Sequence, residues 1–289
     1  MLQLNSPLVP LAPLVDVAWL NENIDAPELV VLDASVAPVV PGFESLNTDA
    51  NFLAIPGARR FDYDTKICKQ DSSLPHMMPA AELFQDEVRK LGINNDSVIV
   101  VYDDVGIYAS PRAWWMLRAM GHEQVAVLDG GLRAWIGAGF DTADSLQTEL
   151  PAGDFSANFS EDSFCDFSVV LSALDDTNCA ILDARSSGRF YGTAPEPRPG
   201  IRGGHMPNAK SLPFPELLDE GKMKPVAELQ KIFGELVSAE QRLISSCGSG
   251  LTACIITFAA YLAGYRRLSV YDGSWIEWGA PSKLPVVTD

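Results

Sequence analysis

Four segments of this chain occur twice, in the same order and at nearly constant spacing. Val30-Val31-Leu32-Asp33-Ala34-Ser35 matches Ala180-Ile181-Leu182-Asp183-Ala184-Arg185, and Ile55-Pro56-Gly57-Ala58 matches Met206-Pro207-Asn208-Ala209. Val98-Ile99-Val100-Val101-Tyr102 corresponds to Arg242-Leu243-Ile244-Ser245-Ser246, and the run Val125 to Gly131 corresponds to Leu268 to Ser274. The aspartates Asp33 and Asp183 stand 150 residues apart, and Asp129 and Asp272 stand 143 apart. A duplication of this kind sets the architecture first, because both copies must build the same unit.

Within each copy, apolar runs of four to six residues rich in Val, Ile and Leu alternate with segments of helical period. The helical candidates are Ala80 to Leu91, Pro111 to Met120, Val226 to Leu236 and Thr252 to Leu262. Short continuous apolar strands alternating with helices predict an α/β fold: two tandem domains, each a mainly parallel sheet with helices on both faces. At 289 residues the chain has the length for two domains. The boundaries are placed at 1–143 and 163–289, with 144–162 as a linker that has Pro151 and little periodicity.

The balance of 38 acidic against 21 basic residues, a net charge of −17, argues against nucleic acid or an anionic membrane surface as partner. An anionic small molecule would need arginines placed locally to hold it. No stretch reaches the roughly 20 apolar residues of a membrane span, and Met1 to Pro13 lacks a basic residue ahead of an apolar core, so a cytoplasmic protein is expected. Five cysteines without a C-x-x-C pair disfavour a disulfide framework or a zinc ribbon. No metal and no cofactor are expected.

Ligands of open α/β sheets bind in the loops beyond the carboxyl ends of the strands. There the two copies differ. After Tyr102 the first continues Asp103-Asp104-Val105-Gly106-Ile107-Tyr108, and after Ser246 the second continues Cys247-Gly248-Ser249-Gly250-Leu251-Thr252. Two glycines let the second loop curl its N–H groups inward as an anion nest, and the helix opening near Thr252 adds its positive end. Such surroundings favour thiolate over thiol. A packed, inert cysteine at a strand end is the alternative.

The loop Cys247-Gly248-Ser249-Gly250-Leu251-Thr252-Ala253, with Gly204-His205-Met206-Pro207-Asn208-Ala209 before it and Tyr271-Asp272-Gly273-Ser274-Trp275 after it, resembles the rhodanese family of sulfurtransferases from about Pro13 to Pro281. It is closest to the C-G-[ST]-G-[VL]-T-A loop of members that use 3-mercaptopyruvate. The resemblance implies that Cys247 takes sulfur from a small anionic donor as a persulfide. The sulfur then passes to a thiol, to cyanide or to a small thioredoxin-like redox protein, and pyruvate is released. It implies a non-catalytic first domain, with Asp103 at the cysteine position.

Gly188-Arg189-Phe190 and Pro195-Glu196-Pro197-Arg198 match family motifs whose arginines hold the donor's carboxylate and carbonyl. Arg189 and Arg198 are therefore the implied donor-binding residues, together with loop residues Gly248, Gly250, Leu251 and Thr252. Arg185 is read as the structural partner of a nearby carboxylate. Ser249, His76 and Asp64 match a Ser-His-Asp group proposed to move protons, in which serine relays, histidine accepts and aspartate orients. The segment from Asp64 to His76 is one residue longer than the family pattern. Solvated loop charges for the arginines and a domain-interface role for His76 are the plainer readings. His122, His205 and the tryptophans are read as structural.

Three functions stay open at this stage. The first is sulfur transfer from 3-mercaptopyruvate; the second is transfer from thiosulfate; the third is a non-catalytic sulfur-carrying or binding module. Thiosulfate users carry Arg and Lys directly after the cysteine, where this chain has Gly248 and Ser249. A cysteine phosphatase would need an arginine at Ala253.

Overall fold

The structure is a computed structural model that describes Leu8, residues 12–48 and residues 51–289. Most of the Met1 to Pro13 segment lies outside the described residues.

The first half orders β1 (Leu14–Val15), α1 (Val17–Asn23), β2 (Leu29–Asp33), β3 (Arg59–Arg60), α2 (Ala81–Lys90), β4 (Val98–Tyr102), α3 (Ser110–Ala119), β5 (Val125–Leu128) and α4 (Gly131–Gly137). The second repeats the plan with β6 (Phe164–Cys165), α5 (Phe167–Ala173), β7 (Cys179–Asp183), α6 (Ser187–Phe190) and β8 (Lys210–Ser211). It goes on through a small antiparallel pair, β9 (Leu218–Asp219) and β10 (Lys222–Met223), then α7 (Val226–Leu236), β11 (Arg242–Ser246), α8 (Ala253–Ala263), β12 (Leu268–Tyr271) and α9 (Ser274–Trp278).

Each half holds one five-stranded sheet, of order β1-β5-β4-β2-β3 or β6-β12-β11-β7-β8, and every pairing in both is parallel. The two orders are the same order, position for position. Helices cover both faces, so β2 and β4 are buried along their whole length, as their unbroken Val, Ile and Leu runs require.

The halves meet through α3 and α8, which occupy equivalent places in the repeat. Trp114 of α3 packs edge-on against Phe258 and Tyr261 of α8, with ring centroids 4.8 and 5.2 Å apart. Nearly every residue of α8 is buried, because its sequence ACIITFAAYLA is apolar around the full circumference and lies between its own sheet and the other domain. Residues 144–163 carry no helix or strand, yet they are fastened down. Gly153 and Phe155 donate to the carbonyls of Arg89 and Ile93, and Phe155 is buried against Phe84. No helix among the described residues is long and apolar enough to cross a membrane.

Candidate active site

β4 and β11 lie at the centres of their sheets. In the parallel register Tyr102 stands opposite Asp33 and Ser246 opposite Asp183, so Asp103 and Cys247 are the first residues past equivalent strand ends. Each begins a loop that turns into the interface helix of its domain.

In the first domain the loop closes around its own aspartate. Oδ1 of Asp103 accepts from the amides of Val105 and Gly106 at 3.1 and 3.0 Å. Oδ2 accepts from the amides of Tyr108, Ala109 and Ser110 at 3.0, 2.9 and 2.8 Å and from the Ser110 hydroxyl at 2.7 Å. Full burial pushes the Asp103 carboxyl up, and the donors of Ser110, Tyr108 and Ala109 oppose that push. A loop that aims five amides at one carboxylate is an anion nest.

The second loop runs likewise from a central strand into an interface helix, with the sulfur of Cys247 at its head. Cys247 is buried, and among the described residues the amides of Gly248 through Ala253 meet no protein acceptor. The loop is held from behind. Cys247 donates its amide to Ser274 Oγ at 3.1 Å, and its carbonyl accepts from Trp275 at 2.9 Å. Gly250 sits at φ +79°, and a Cβ there would lie 2.7 Å from the Asp272 carbonyl oxygen, so both conformation and space demand glycine.

Arg189, on α6, reaches the loop from the side: a Cβ on Gly248 would come within 3.1 Å of its Nη2. Glu196 aims that guanidinium, accepting from Arg189 Nε and Nη2 at 3.1 and 2.6 Å through one oxygen and from Arg185 Nη1 at 2.8 Å through the other. Arg185 is fully engaged with Asp183, Glu196 and the Trp275 face. Arg198, by contrast, has no hydrogen bond or ion pair among the described residues. A cavity of about 370 Å³ opens beside the loop. Arg189, Pro195, Pro197 and Thr252 line it from the second domain, and Val39 and Pro41 from the first.

The first domain also supplies His76 and Asp64. Nδ1 of His76 lies 2.9 Å from Asp64 Oδ1, a close contact that runs off the line of the ring N–H. His76 sits at φ +60° with its ring edge-on to Tyr63. Burial, and then the neighbouring Arg112, lowers its pKa to about 4, so the ring is neutral near pH 7. No hydrogen bond joins Ser249 to His76 among the described residues. The His76 turn is held by Arg112 at its carbonyl and by Asp272 at the amide of Met78, while Ser249 stays in the cysteine loop. Leu251 and Thr252, both largely buried, close the loop onto α8.

Three residues that organise this region carry no role in the sequence reading: Glu196, Asp272 and Arg112. Glu196 lies inside a quoted motif, and Asp272 is one of the repeated aspartates. Arg112 is a charge in the first turn of the largely apolar, almost wholly buried helix SPRAWWMLRA, and it is buried while Arg118 in the last turn is not, which is the signal that marks it. Among the described residues no cluster of three His, Cys, Asp or Glu side chains could hold a metal ion.

The family described as Rhodanese-like domain matches the chain twice, over residues 16–138 and 167–281. A 3-mercaptopyruvate sulfurtransferase of Escherichia coli (strain K12) is 41% identical over 276 residues, 93% of this chain and 95% of that protein. A thiosulfate sulfurtransferase of Rattus norvegicus is 39% identical over 276 residues, 92% of this chain and 91% of that one. The crystal structure of an Escherichia coli 3-mercaptopyruvate sulfotransferase superposes with a TM-score of 0.78 at 36% identity, covering 92% of this chain and 99% of that chain.

Proposed function

The chain belongs to the rhodanese family, and from that membership we propose that it is a sulfurtransferase moving sulfur from 3-mercaptopyruvate through a persulfide on Cys247. The observation that carries the reading is the equivalence of Asp103 and Cys247: the nest that one domain fills with a carboxylate is offered by the other to sulfur.

The Cys247 thiolate attacks the donor sulfur, forming the S–S bond as the donor's C–S bond breaks. The electron pair of that bond passes to the methylene carbon, where the adjacent carbonyl takes it up as an enolate. The proton of the donor thiol ends on this carbon, giving pyruvate and an anionic persulfide. Ser249 relays that proton to neutral His76, whose ring Asp64 orients, and the ring returns it by the same path to the carbon. Arg198 and the edge of Arg189 left free by Glu196 hold the donor's carboxylate and carbonyl. The amides of Gly248 to Ala253 hold the negative persulfide, which an acceptor thiol or cyanide then attacks at its outer sulfur, restoring the thiolate.

The first domain, 1–143, supplies His76 and Asp64 and caps the cavity; residues 163–289 bear the nucleophile, and 144–162 join them. The similarity to a thiosulfate sulfurtransferase favours a second reading, transfer from thiosulfate. Gly248 and Ser249 weigh against it, since they bring no cation beside the sulfur to meet a compact dianion. Steady-state kinetics with each donor separates the two. A larger kcat/KM with 3-mercaptopyruvate is expected, and a larger value with thiosulfate overturns the assignment.

A further inference from the structure

Arg112 belongs to the first domain by sequence and to the catalytic loop of the second by contact. Its side chain is wholly buried. Nη1 donates to the carbonyl of Gly250 at 3.1 Å, in the middle of the cysteine loop. Nη2 donates to Asp272 Oδ1 at 2.8 Å and to the carbonyl of His76. The other oxygen of Asp272 accepts from the amide of Met78 at 2.7 Å, two residues past His76. The guanidinium also lies over the Phe164 ring, 4.7 Å from its centroid. One planar cation and one carboxylate thus join the turn carrying His76 to the loop carrying Cys247, across the junction of the domains.

We propose that Arg112 is a positioning residue for sulfur transfer, an interdomain clamp that fixes the cysteine loop and the His76 turn relative to one another while touching neither donor nor acceptor. The proposal rests on the reading of Cys247 and His76 given above.

The fork matters because no other side chain has the shape to serve three acceptors in two domains at once. Lysine in its place offers the same charge from a single point and cannot span Gly250, Asp272 and His76 together. The cation also acts on His76 through space. The charged groups facing that ring are Arg112 and Arg198, which disfavour its protonated form, and Asp64 and Asp272, which favour it. Of the four, Arg112 has the largest influence, so its removal raises the basicity of His76.

Two variants test the clamp: Arg112→Lys, and Arg112→Gln combined with Asp272→Asn, which leaves no buried charge unpaired. Both are measured by single-turnover loading of Cys247 with 3-mercaptopyruvate, followed by intact mass, and by kcat/KM against pH on samples shown folded by their melting curves. Arg112→Lys is expected to lose about ten- to a hundredfold in kcat, with KM within about twofold and the acid limb unmoved. The double variant is expected to lose as much and to shift its acid limb to higher pH, toward the ordinary histidine range. Parental kcat in both variants, with a parent that loads sulfur on Cys247, overturns the clamp alone. So does a loss of activity that merely follows the fraction unfolded while the acid limb stays in place. A parent that loads no sulfur on Cys247 overturns the site reading and the clamp with it.

Discussion

Arg189 gives Nε and Nη2 to a single oxygen of Glu196, at 3.1 and 2.6 Å, and so keeps only its remaining edge for anything else. Arg198, two residues beyond Glu196, has no partner to give up among the described residues. The two arginines should therefore answer differently to truncation. Arg198→Ala is expected to lower kcat/KM for 3-mercaptopyruvate by about ten- to a hundredfold, the worth of a charge-assisted contact, with stability within about 0.5 kcal/mol of the parent. Arg189→Ala should cost similar activity and also about 1–3 kcal/mol of stability, because Glu196 is buried and loses half its partners. Equal melting of the two variants in urea would contradict this division.

The aspartate at the head of the first loop is predicted to be structural. Asp103→Ala strips six donors of their acceptor and is expected to destabilise the protein by at least about 3 kcal/mol, with a smaller loss in Asp103→Asn, which keeps one acceptor oxygen. Urea titration measures both. A loss below about 1 kcal/mol in the alanine variant would mean that the nest does not need an anion.

His76 gives stability a pH dependence of fixed sign. Its pKa is about 4 in the folded protein against about 6.5 unfolded, so the unfolded chain takes up the proton first as pH falls. The neutral ring costs nothing above pH 6.5, and the penalty grows between about 6.5 and 4 to roughly 3 kcal/mol. His76→Asn, a residue that tolerates the positive φ at this position, should lack that portion of the slope. Parallel stability curves for parent and variant over this window would contradict the assignment.

Much of this was legible in the chain itself. The duplicated runs ending at Tyr102 and Ser246 pointed to paired parallel sheets and to loops at equivalent strand ends, because the apolar run Val98 to Tyr102 reads as a buried strand and the repeat carries that reading to the more polar Arg242 to Ser246. The cysteine loop announced itself by its glycines. What escaped was whatever depends on contacts between distant segments. Arg112 and Asp272 are 160 residues apart, and only the packing of α3 against α8 joins them. The motif put Ser249, His76 and Asp64 in one proton path, but nothing in it named Arg112, which holds the His76 turn at its carbonyl. Periodicity reports which face of an element is buried and carries no information about such partners.

Donor choice should respond to charge in the loop. Gly248→Arg with Ser249→Lys places two cations beside the sulfur, and the new side chain at 248 meets Arg189, which is 3.1 Å from where its Cβ must go. Attraction for thiosulfate rises while the carboxylate grip at Arg189 and the Ser249 hydroxyl are disturbed. The ratio of kcat/KM for thiosulfate to that for 3-mercaptopyruvate should increase. A parental ratio would mean that other residues read the donor.

The central claim is that sulfur rests on Cys247, and mass spectrometry of the protein after incubation with 3-mercaptopyruvate tests it most directly. The account predicts one added sulfur per chain, mapped by peptide analysis to Cys247, released by cyanide or a small thiol, and absent from a folded Cys247→Ser variant. Sulfur found on Cys254, Cys179, Cys165 or Cys68, or loading that survives in Cys247→Ser, would contradict it.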